Sequence, residues 1–429
     1  MVFLLLDSLR GSRMRRHLAE LGEAQTFDAG QLASWQENKL FRLLSFARDT
    51  TDFYGLLVPR SLSPSSAADV LSSLPIVTRQ LIRAEAARFV SRAFPGRKLS
   101  VKRTSGSTGT PLAIWQDRDC SLRQKAEVIY FGGWAGYQVG ARYLYVARNR
   151  PRVRAWLRNE MSLWCTHPDE RWFEHLARQL QVHRVETLIA HPSVLIPFAR
   201  YVSGPPARLA GTLSLRGVIS ISEPLGDGVR LRIEEALGCP VLRRYSTREM
   251  GIIASECEER RYHVNVGSCW LEYLQLDEDR PNLDGGPSRA IVTALNSYGM
   301  PFIRYDTGDI VTPSPDRCTC GRPSPLLLGI QGRVLDSITT PSGRRVEGFD
   351  LWAQLEKLRG VDQFQFSQLR DGRYQVSVIS GTGYGDHTEA QISERCRRIL
   401  GESAVVVVKR VKHIDPMPSG KIPLIHREQ

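Results

Sequence analysis

The sequence has few of the features that mark secreted, membrane or nucleic-acid-binding proteins. No apolar run approaches the roughly 18 residues that a membrane-spanning helix needs. The opening MVFLLLD is too short for the apolar core of a secretory signal, and no basic segment precedes it. Zinc-finger, RNA-recognition and basic-zipper signatures are absent. We therefore expect a cytoplasmic protein that binds neither membranes nor nucleic acid.

Two common catalytic signatures are also missing. The pattern G-x-S-x-G, which holds the nucleophile of many serine hydrolases, does not occur. The one conspicuous Gly/Ser/Thr-rich loop is not followed by Gly-Lys-Ser/Thr, so it is not a Walker A motif. There is no internal repeat and no low-complexity tail. The chain is an ordinary globular sequence, 42% apolar and 24% charged.

Cysteine is sparse and mostly scattered, with eight residues in 429. A cytosolic chain of this length does not need disulfides, so neighbouring cysteines are candidate metal ligands. Cys318 and Cys320 form a C-x-C, and Cys257 and His263 lie in ECEERRYH. Three thiolates and an imidazole make a normal tetrahedral zinc set, although four packing residues are the alternative. The remaining cysteines are expected to be small core residues: Cys120, Cys165, Cys239, Cys269 and Cys396.

The charge balance favours anionic partners. Lys and Arg outnumber Asp and Glu by 58 to 45, which gives a net charge of +13 and a pI of about 9.6. Nucleotides, coenzyme A and an acidic carrier protein fit this excess, and a solvated basic surface is the alternative. The densest basic run, Arg148 to Arg158, is a candidate contact for CoA phosphates or a carrier protein.

Helical and strand-like patterns alternate along the first three quarters of the chain. KLFRLLSFARDT is helical and ends before the turn at Phe53–Tyr54. VETLIA is strand-like and precedes a helix near Pro192, and the next segment, up to RRYS, is typical of a strand, a helix and a strand. This alternation predicts an α/β fold, a large N-terminal body with mostly parallel sheets.

The pattern changes near Gly332–Arg333. Beyond this point it predicts a helix, two strands around the Asp371–Gly372 turn, a helix and a last strand. We therefore expect two domains, an N-terminal domain of residues 1–332 and a small, mobile α+β lid of residues 333–429.

The Gly/Ser/Thr-rich stretch RTSGSTGTP spans Arg103 to Pro111. Its glycines allow backbone N–H groups to turn toward an anion, and the hydroxyls of Ser105, Ser107 and Thr108 add donors. The chemistry is that of a phosphate cradle, and a plain surface loop is the alternative.

Four later motifs each contribute one or two chemically useful side chains. RRYSTREMG has Tyr245 and Glu249, IRYDTGDI has Asp309, IQGRVLD has Arg333, and MPSGKIP has Lys421. Each motif is weak by itself. Their order and spacing, with the HPSVL and SEPL segments, resemble the adenylate-forming (acyl-CoA synthetase-like) superfamily. The compact phenylacetate–CoA ligase and capsule-biosynthesis adenylating branch is the most similar.

The resemblance implies a nucleotide site. Tyr245 would stack near adenine, Asp309 would bind the ribose hydroxyls, and Glu249 would hold Mg²⁺, a hard ion that prefers oxygen ligands. Arg333 would contact ribose or phosphate, and Lys421 would neutralise charge on the α-phosphate. Catalysis is assigned to Lys421, Glu249 and Arg333. The other implied nucleotide ligands are Thr104, Ser105, Gly106, Ser107, Thr108, Gly109, Glu223, Ser246 and Thr247.

The resemblance also implies the reaction. A carboxylic acid would be activated with ATP as acyl-AMP, pyrophosphate would leave, and the acyl group would pass to an acceptor, with CoA as the leading choice. The lid would close over the site and exclude water. In the compact branch, similar Cys/His positions bind structural zinc, so Zn²⁺ is expected at Cys257, His263, Cys318 and Cys320. A homodimer is expected as well.

Three departures from the family pattern keep other functions open. Thr110 stands where Lys is frequent, Ser246 replaces a glycine, and Leu335 replaces a hinge carboxylate. One alternative keeps the adenylation but uses an amine or nitrogen nucleophile, an alcohol or a carrier protein as acceptor. Another is a nucleotide-binding member without turnover. Tyr130, with its aromatic neighbours, hints at an aryl or medium acyl group.

Overall fold

The computed structural model describes residues 13–94, 98–103, 112–146, 160–164, 169–204, 211–333, 337–340, 343–355, 358–381, 383–414 and 425–427. The chain divides into two compact units. The first comprises residues 1–143, 151–161 and 242–330, and the second comprises 144–150, 162–241 and 331–429. Across the described ranges, no helix combines the length and the apolar character that crossing a bilayer requires.

Eleven α-helices lie in the described residues: α1 Met14–Glu23, α2 Ala29–Thr50, α3 Ala67–Ser73, α4 Arg79–Ala84, α5 Ala86–Phe89, α6 Arg118–Trp134, α7 Glu170–Val182, α8 Pro192–Ser203, α9 Asp227–Leu237, α10 Gly348–Leu355 and α11 Asp386–Leu400. Short 3₁₀ turns occur at Tyr54–Leu56 and Pro64–Ser66.

The same ranges contain nineteen strands: β1 Ser100–Arg103, β2 Ala113–Gln116, β3 Tyr143–Val146, β4 Glu160–Leu163, β5 Thr187–Ala190, β6 Gly217–Ile221, β7 Val241–Thr247, β8 Gly251–Glu256, β9 Tyr262–Val264, β10 Cys269–Leu274, β11 Ser288–Ala294, β12 Tyr305–Ser314, β13 Leu326–Arg333, β14 Ser337–Thr339, β15 Arg345–Glu347, β16 Val361–Gln368, β17 Tyr374–Ser380, β18 Val406–Arg410 and β19 Ile425–Arg427.

Helix α2 shows how the local sequence shapes the first unit. Asp28 accepts a hydrogen bond from the backbone of Gln31, whose side chain accepts one from the backbone of Asp28, which completes a capping box. Leu40, Leu43 and Leu44 recur at helical spacing and are fully buried in the main core. Burial of each such side chain contributes about 1.5–3 kcal/mol. The helix ends at Thr50, as the sequence predicts.

The strands of the first unit follow the order β10–β11–β12–β13–β9–β8–β7. Pairing is antiparallel between β10 and β11, β11 and β12, β13 and β9, β9 and β8, and β8 and β7. The α/β class is confirmed, but the expectation of mostly parallel sheets is wrong for this unit. Turns rather than helices connect β7 to β8 and β8 to β9, and such short connections force antiparallel pairing.

The second unit contains the parallel arrangement that the alternating pattern predicts. Strands β5 and β6 are parallel, with Thr187 opposite Gly217 and Ala190 opposite Ser220. Helices α8 and α9 follow these two strands. Both strands are buried along their length, which is typical of parallel strands covered on two faces.

The last hundred residues of the second unit have a small core of their own. Strands run in the order β18–β17–β16–β19, with β16 and β17 antiparallel and the outer pairs parallel. Phe366 and Val376 are fully buried there beside Ile392 and Cys396 of α11. The predicted helix, two strands, helix and strand are observed as α10, β16, β17, α11 and β18, whereas β14 and β15 before them and β19 after them were not predicted. The division at residue 332 and the mobility of the lid stay predictions.

Candidate active site

Two motif strands of the first unit meet at Tyr245 and Asp309. Tyr245 lies on β7, next to a bulge at Ser246, and Asp309 lies on β12. The Tyr245 hydroxyl donates a 2.7 Å hydrogen bond to Oδ2 of Asp309, and both residues are buried. Burial, followed by the charge of Asp309, raises the pKa of Tyr245 well above its usual value. The phenol is therefore a permanent donor to the carboxylate.

A tight turn within β12 sets the direction of Asp309. Gly308 has φ of +71°, a conformation that glycine adopts without strain. Its N–H donates to Oδ1 of Asp306 at 2.8 Å, and the N–H of Asp309 donates to Oγ1 of Thr307 at 3.1 Å. The turn thus fixes the backbone of Asp309, and Tyr245 holds one oxygen of its carboxylate. Such a carboxylate is suited to accept hydrogen bonds from vicinal hydroxyl groups.

The same two motifs meet a second time at Glu249. The hydroxyl of Tyr305, which begins β12, donates to Oε1 of Glu249 at 3.3 Å. Arg79 places Nη1 3.5 Å from the same oxygen. The Glu249 side chain is 8% exposed and that of Arg79 is 19% exposed. A buried carboxylate with one cationic partner is a candidate ligand for a hard divalent ion.

Sequence reasoning did not find Arg79 or Tyr305. Val77 holds the backbone near Arg79, because its N–H donates to the carbonyl of Arg304 and its carbonyl accepts from Asp306. Thr78 then caps helix α4. Tyr305 stands four residues before Asp309 in the motif IRYDTGDI. The turn at Gly308 interrupts regular strand alternation between them, so spacing alone does not place both on one face. Nothing local connects Arg79 with Glu249.

Ser246 and Thr247 form the entry to the turn between β7 and β8. Both side chains are half-buried, and Oγ1 of Thr247 accepts a hydrogen bond from the N–H of Met250 at 3.1 Å. Gly251 follows with φ of +84°, and an added Cβ would lie 3.0 Å from Cγ of Gln124. The turn is therefore closely packed. A nucleotide-binding role for Ser246 and Thr247 stays a prediction.

In the second unit, Glu223 has a defined local role. Its Oε2 accepts from the N–H of Ser193 and its Oε1 from the Ser193 hydroxyl, both at 3.0 Å, so it caps helix α8. Nδ1 of His191 lies 3.9 Å from Oε1 of Glu223. Ser222 has φ of +68°, which is strained for a residue with a side chain. These residues follow β5 and β6 at their carboxyl ends, where α/β sheets bind ligands.

Several predicted residues lie outside the described part of the chain. They are Thr104, Ser105, Gly106, Ser107, Thr108 and Gly109 of the loop, Thr110, Leu335, Lys421 and the basic run from Arg148 to Arg158. Arg333 ends β13, and only its backbone is described. Their assigned roles stay predictions.

The cysteine and histidine candidates converge in the first unit. Cys257 follows β8, His263 lies on β9, and Cys318 and Cys320 come from the loop between β12 and β13. The four ligand atoms lie within 4.8 Å of one another. Sγ of Cys257 is 3.7 Å from Sγ of Cys318, and Sγ of Cys320 is 3.3 Å from Nε2 of His263. This is the donor set of a closed tetrahedral zinc site.

The surroundings of this cluster suit a metal. Nδ1 of His263 is 2.9 Å from the Ser324 hydroxyl, which orients the imidazole and leaves Nε2 facing the thiols. Burial, followed by the charge of Arg322, lowers the pKa of His263 to about 4, so the ring is neutral at neutral pH. Burial raises the pKa of Cys257 to about 12. Burial also acts to raise the pKa of Cys320, but hydrogen bonds, the first from the backbone of Arg322, lower it overall.

Comparisons with known proteins give a consistent result, although no protein-family model matches the chain. Phenylacetate-coenzyme A ligase of Thermus thermophilus is 24% identical over 345 residues, which are 74% of this chain and 73% of that protein. The solved structure of 2-hydroxyisobutyryl-CoA ligase in the postadenylation state with R3-HIB-AMP has a TM-score of 0.78 at 18% identity. It covers 95% of this chain and 92% of that chain.

A further similar solved structure is named as an amide-forming enzyme rather than a CoA ligase. The amide bond synthetase McbA from Marinactinospora thermotolerans has a TM-score of 0.56 at 15% identity, with 95% of this chain and 98% of that chain covered. These proteins share an architecture, and the motifs that suggested the resemblance contact each other at Tyr245–Asp309 and Glu249–Tyr305. The resemblance is confirmed, and the chain has the fold of the adenylate-forming (acyl-CoA synthetase-like) superfamily.

Proposed function

We propose that this protein is an AMP-forming ligase that activates a carboxylic acid with ATP and then transfers the acyl group to CoA. The observation that carries the proposal is the double contact between the two motifs. Tyr245 orients the Asp309 carboxylate for a ribose, and Arg79 and Tyr305 hold the Glu249 carboxylate where a magnesium-bound phosphate chain would lie. The similarity to phenylacetate-coenzyme A ligase supports the same reading.

In the first half-reaction, a carboxylate oxygen of the acid would attack the α-phosphorus of ATP. The bond to the β-phosphate oxygen breaks, pyrophosphate leaves and acyl-AMP forms. Asp309 would hold the ribose hydroxyls, and Glu249 would hold Mg²⁺, which when bound shields the phosphate charge. Thr104 to Gly109 would cradle the leaving pyrophosphate, and Lys421 would neutralise the α-phosphate oxygens.

In the second half-reaction, the CoA sulfur would attack the acyl carbonyl carbon as a thiolate, and AMP would leave with the electrons of the broken bond. The solved relative with 2-HIB-AMP and CoA in a thioesterification state supports this order. Basic residues between Arg148 and Arg158 would meet the CoA phosphates.

The test measures pyrophosphate release with ATP, Mg²⁺, hydroxylamine and a panel of aryl and alkyl acids. We expect release that depends on one class of acid and falls at least about 100-fold in Glu249→Gln, Asp309→Ala and Lys421→Ala. Asp49→Asn is the matched control, because this exposed carboxylate pairs with Arg48 on helix α2, outside both motifs. Full release in the three site variants, or acid-independent release, would refute the proposal.

A nitrogen nucleophile is the second candidate acceptor. The whole-chain likeness to an amide bond synthetase favours it, because that protein has nearly the same extent as this chain. AMP release should be stimulated by CoA if a thioester is the product, and by an amine if an amide is the product. Stimulation by an amine alone would replace CoA in the proposal and leave the adenylation step intact.

We also propose that Cys257, His263, Cys318 and Cys320 bind one structural Zn²⁺. The four donors are complete without water, so the ion would have no open position for catalysis. It would tie the β8–β9 turn to the loop that enters β13, where Leu326 pairs with His263. The site would therefore hold together two segments that are distant in sequence.

The zinc proposal is tested by metal analysis of the purified protein. We expect about one zinc per chain, and loss of that zinc in Cys257→Ala and Cys320→Ala. Cys396→Ala is the matched control, because this thiol is buried in the second unit among apolar side chains. Metal-free wild-type protein after growth with zinc, or equal zinc in all variants, would refute the site.

A further inference from the structure

Arg79 pairs with the carboxylate that we propose as the Mg²⁺ ligand. Its guanidinium nitrogen Nη1 lies 3.5 Å from Oε1 of Glu249, in a setting where both side chains are largely removed from solvent. Burying a carboxylate without a compensating charge is costly, so this contact stabilises Glu249 in the nucleotide-free protein.

The contact is an ion pair rather than a well-formed hydrogen bond. Charge-assisted N–H···O bonds are typically about 2.7–2.9 Å long, and the Arg79–Glu249 distance exceeds this range. A guanidinium has five N–H donors, and its planar fork suits phosphate oxygens. Its interaction with Glu249 therefore does not commit it to that carboxylate alone.

The backbone that bears Arg79 is firmly placed. Val77 forms an isolated parallel bridge with Tyr305, the residue that also contacts Glu249. Thr78 accepts a hydrogen bond from the N–H of Leu81 at 3.2 Å and caps helix α4. Arg79 thus begins helix α4 two residues after the bridge to β12, the strand that also carries Asp309, so the same strand anchors the cation and the proposed ribose ligand.

We propose that Arg79 is a phosphate-binding residue, paired with Glu249 in the free protein and with the β- and γ-phosphates of bound ATP. The inference rests on the proposed adenylation function and adds a residue to that site. Exchange of partners leaves the Glu249 carboxylate available to Mg²⁺ and keeps the buried charge balanced before and after binding.

The test is calorimetric binding of ATP, AMP and pyrophosphate in EDTA, without magnesium. Arg79→Gln should weaken ATP and pyrophosphate about 10-fold or more and AMP less than about 2-fold, because AMP lacks the terminal phosphates. Arg79→Lys should restore part of the loss. Arg83→Gln is the matched control on the same short helix, since Arg83 is exposed.

A second variant separates partner exchange from a purely structural role. Glu249→Gln should tighten magnesium-free ATP binding, because the Glu249 charge that competes with phosphate for Arg79 is removed, and the double variant should lose this gain. Equal weakening of ATP and AMP in Arg79→Gln, or unchanged ATP binding, would overturn the inference while leaving the function in place. Wild-type protein that binds no ATP, with or without Mg²⁺, would overturn both.

Discussion

The hydroxyl of Tyr245 donates to Oδ2 of Asp309 at 2.7 Å, across 64 residues of sequence. One carboxylate oxygen of Asp309 is thus engaged by the protein, and the turn at Gly308 sets the backbone from which the side chain extends. If Asp309 binds the ribose as proposed, its carboxylate is oriented before a nucleotide arrives, which would reduce the ordering cost of binding.

The first prediction concerns that hydroxyl. Tyr245→Phe keeps the buried ring and removes only the donor to Asp309. We expect AMP and ATP to bind about 5- to 30-fold more weakly, because the carboxylate loses the donor that orients it. The free energy of unfolding should also fall by about 1–3 kcal/mol, because the buried Asp309 carboxylate loses a hydrogen bond. Calorimetric titration with AMP measures the change. Tyr273→Phe on β10 is the control, and equal affinities for wild type and Tyr245→Phe would contradict the prediction.

A buried lysine in the first unit leads to the second prediction. Nζ of Lys39 on α2 donates to Glu20 and, at 2.8 Å, to the carbonyl of Gly267. Burial, followed by the charge of Arg123, lowers the pKa of Lys39 from 10.5 to about 8. The unfolded chain therefore binds more protons than the folded protein between pH 8 and 10.5, so this group makes unfolding harder as the pH rises through that window.

We compare the free energies of unfolding of wild type and Lys39→Met at about pH 7.5 and at about pH 9.5. The difference, wild type minus variant, should be about 2 kcal/mol larger at the higher pH. Urea unfolding of both proteins at the two pH values gives the difference and cancels the other titrating groups. Lys409→Met, at an exposed position of β18, should show no such pH dependence. A difference that stays constant or falls with pH would contradict the prediction.

The third prediction concerns a carboxylate shared by two arginines in the second unit. Asp362 on β16 is buried, contacts Arg200 of α8, and accepts a 2.7 Å hydrogen bond from Nη2 of Arg232 of α9. Asp362→Asn would remove the charge between two guanidinium groups and leave them as like charges. We expect a loss of about 1–3 kcal/mol in the free energy of unfolding, below the value for a fully buried pair because both arginines are part exposed.

Urea unfolding of Asp362→Asn measures this loss, and Asp371→Asn is the matched control. Asp371 pairs with Arg373 in an exposed turn, so its neutralisation should change stability little. Added salt should narrow the gap between wild type and Asp362→Asn only slightly, because the carboxylate is buried. Equal unfolding midpoints for wild type and Asp362→Asn would show that the arginines have other, equivalent partners.

The sequence predicted those features whose physical cause is local. Hydrophobic periodicity and Gly/Pro positions located the helix ending at Thr50, the β5–α8 and β6–α9–β7 runs and the C-terminal elements. Motif order located Glu249 and Asp309. The direction of strand pairing in the first unit was not predicted correctly, because alternation of elements says nothing about which strands a short turn joins.

Partners distant in sequence were harder to predict. Arg79 faces Glu249 only because Val77 bridges to Tyr305, and no local pattern encodes that contact. Glu223 was assigned to the nucleotide from the resemblance, and that role stays a prediction; its hydrogen bonds to Ser193, which cap helix α8, were not predicted. The Cys/His cluster was found because the chemistry of its donors is rare enough to suggest a site before their distances are known.

The N-terminal helices of the first unit complete their contacts late. The side chain of Gln36 donates a hydrogen bond to the carbonyl of Val266, which is 230 residues later in the sequence. The hydroxyl of Tyr54 donates to the carbonyl of Ile303, 249 residues later. At about 5–20 residues per second, a ribosome needs about 10–50 s to supply those partners. During that interval the leucine face of α2 lacks the strands that bury it in the finished protein, so the nascent chain exposes an apolar surface until the residues around Ile303 have emerged.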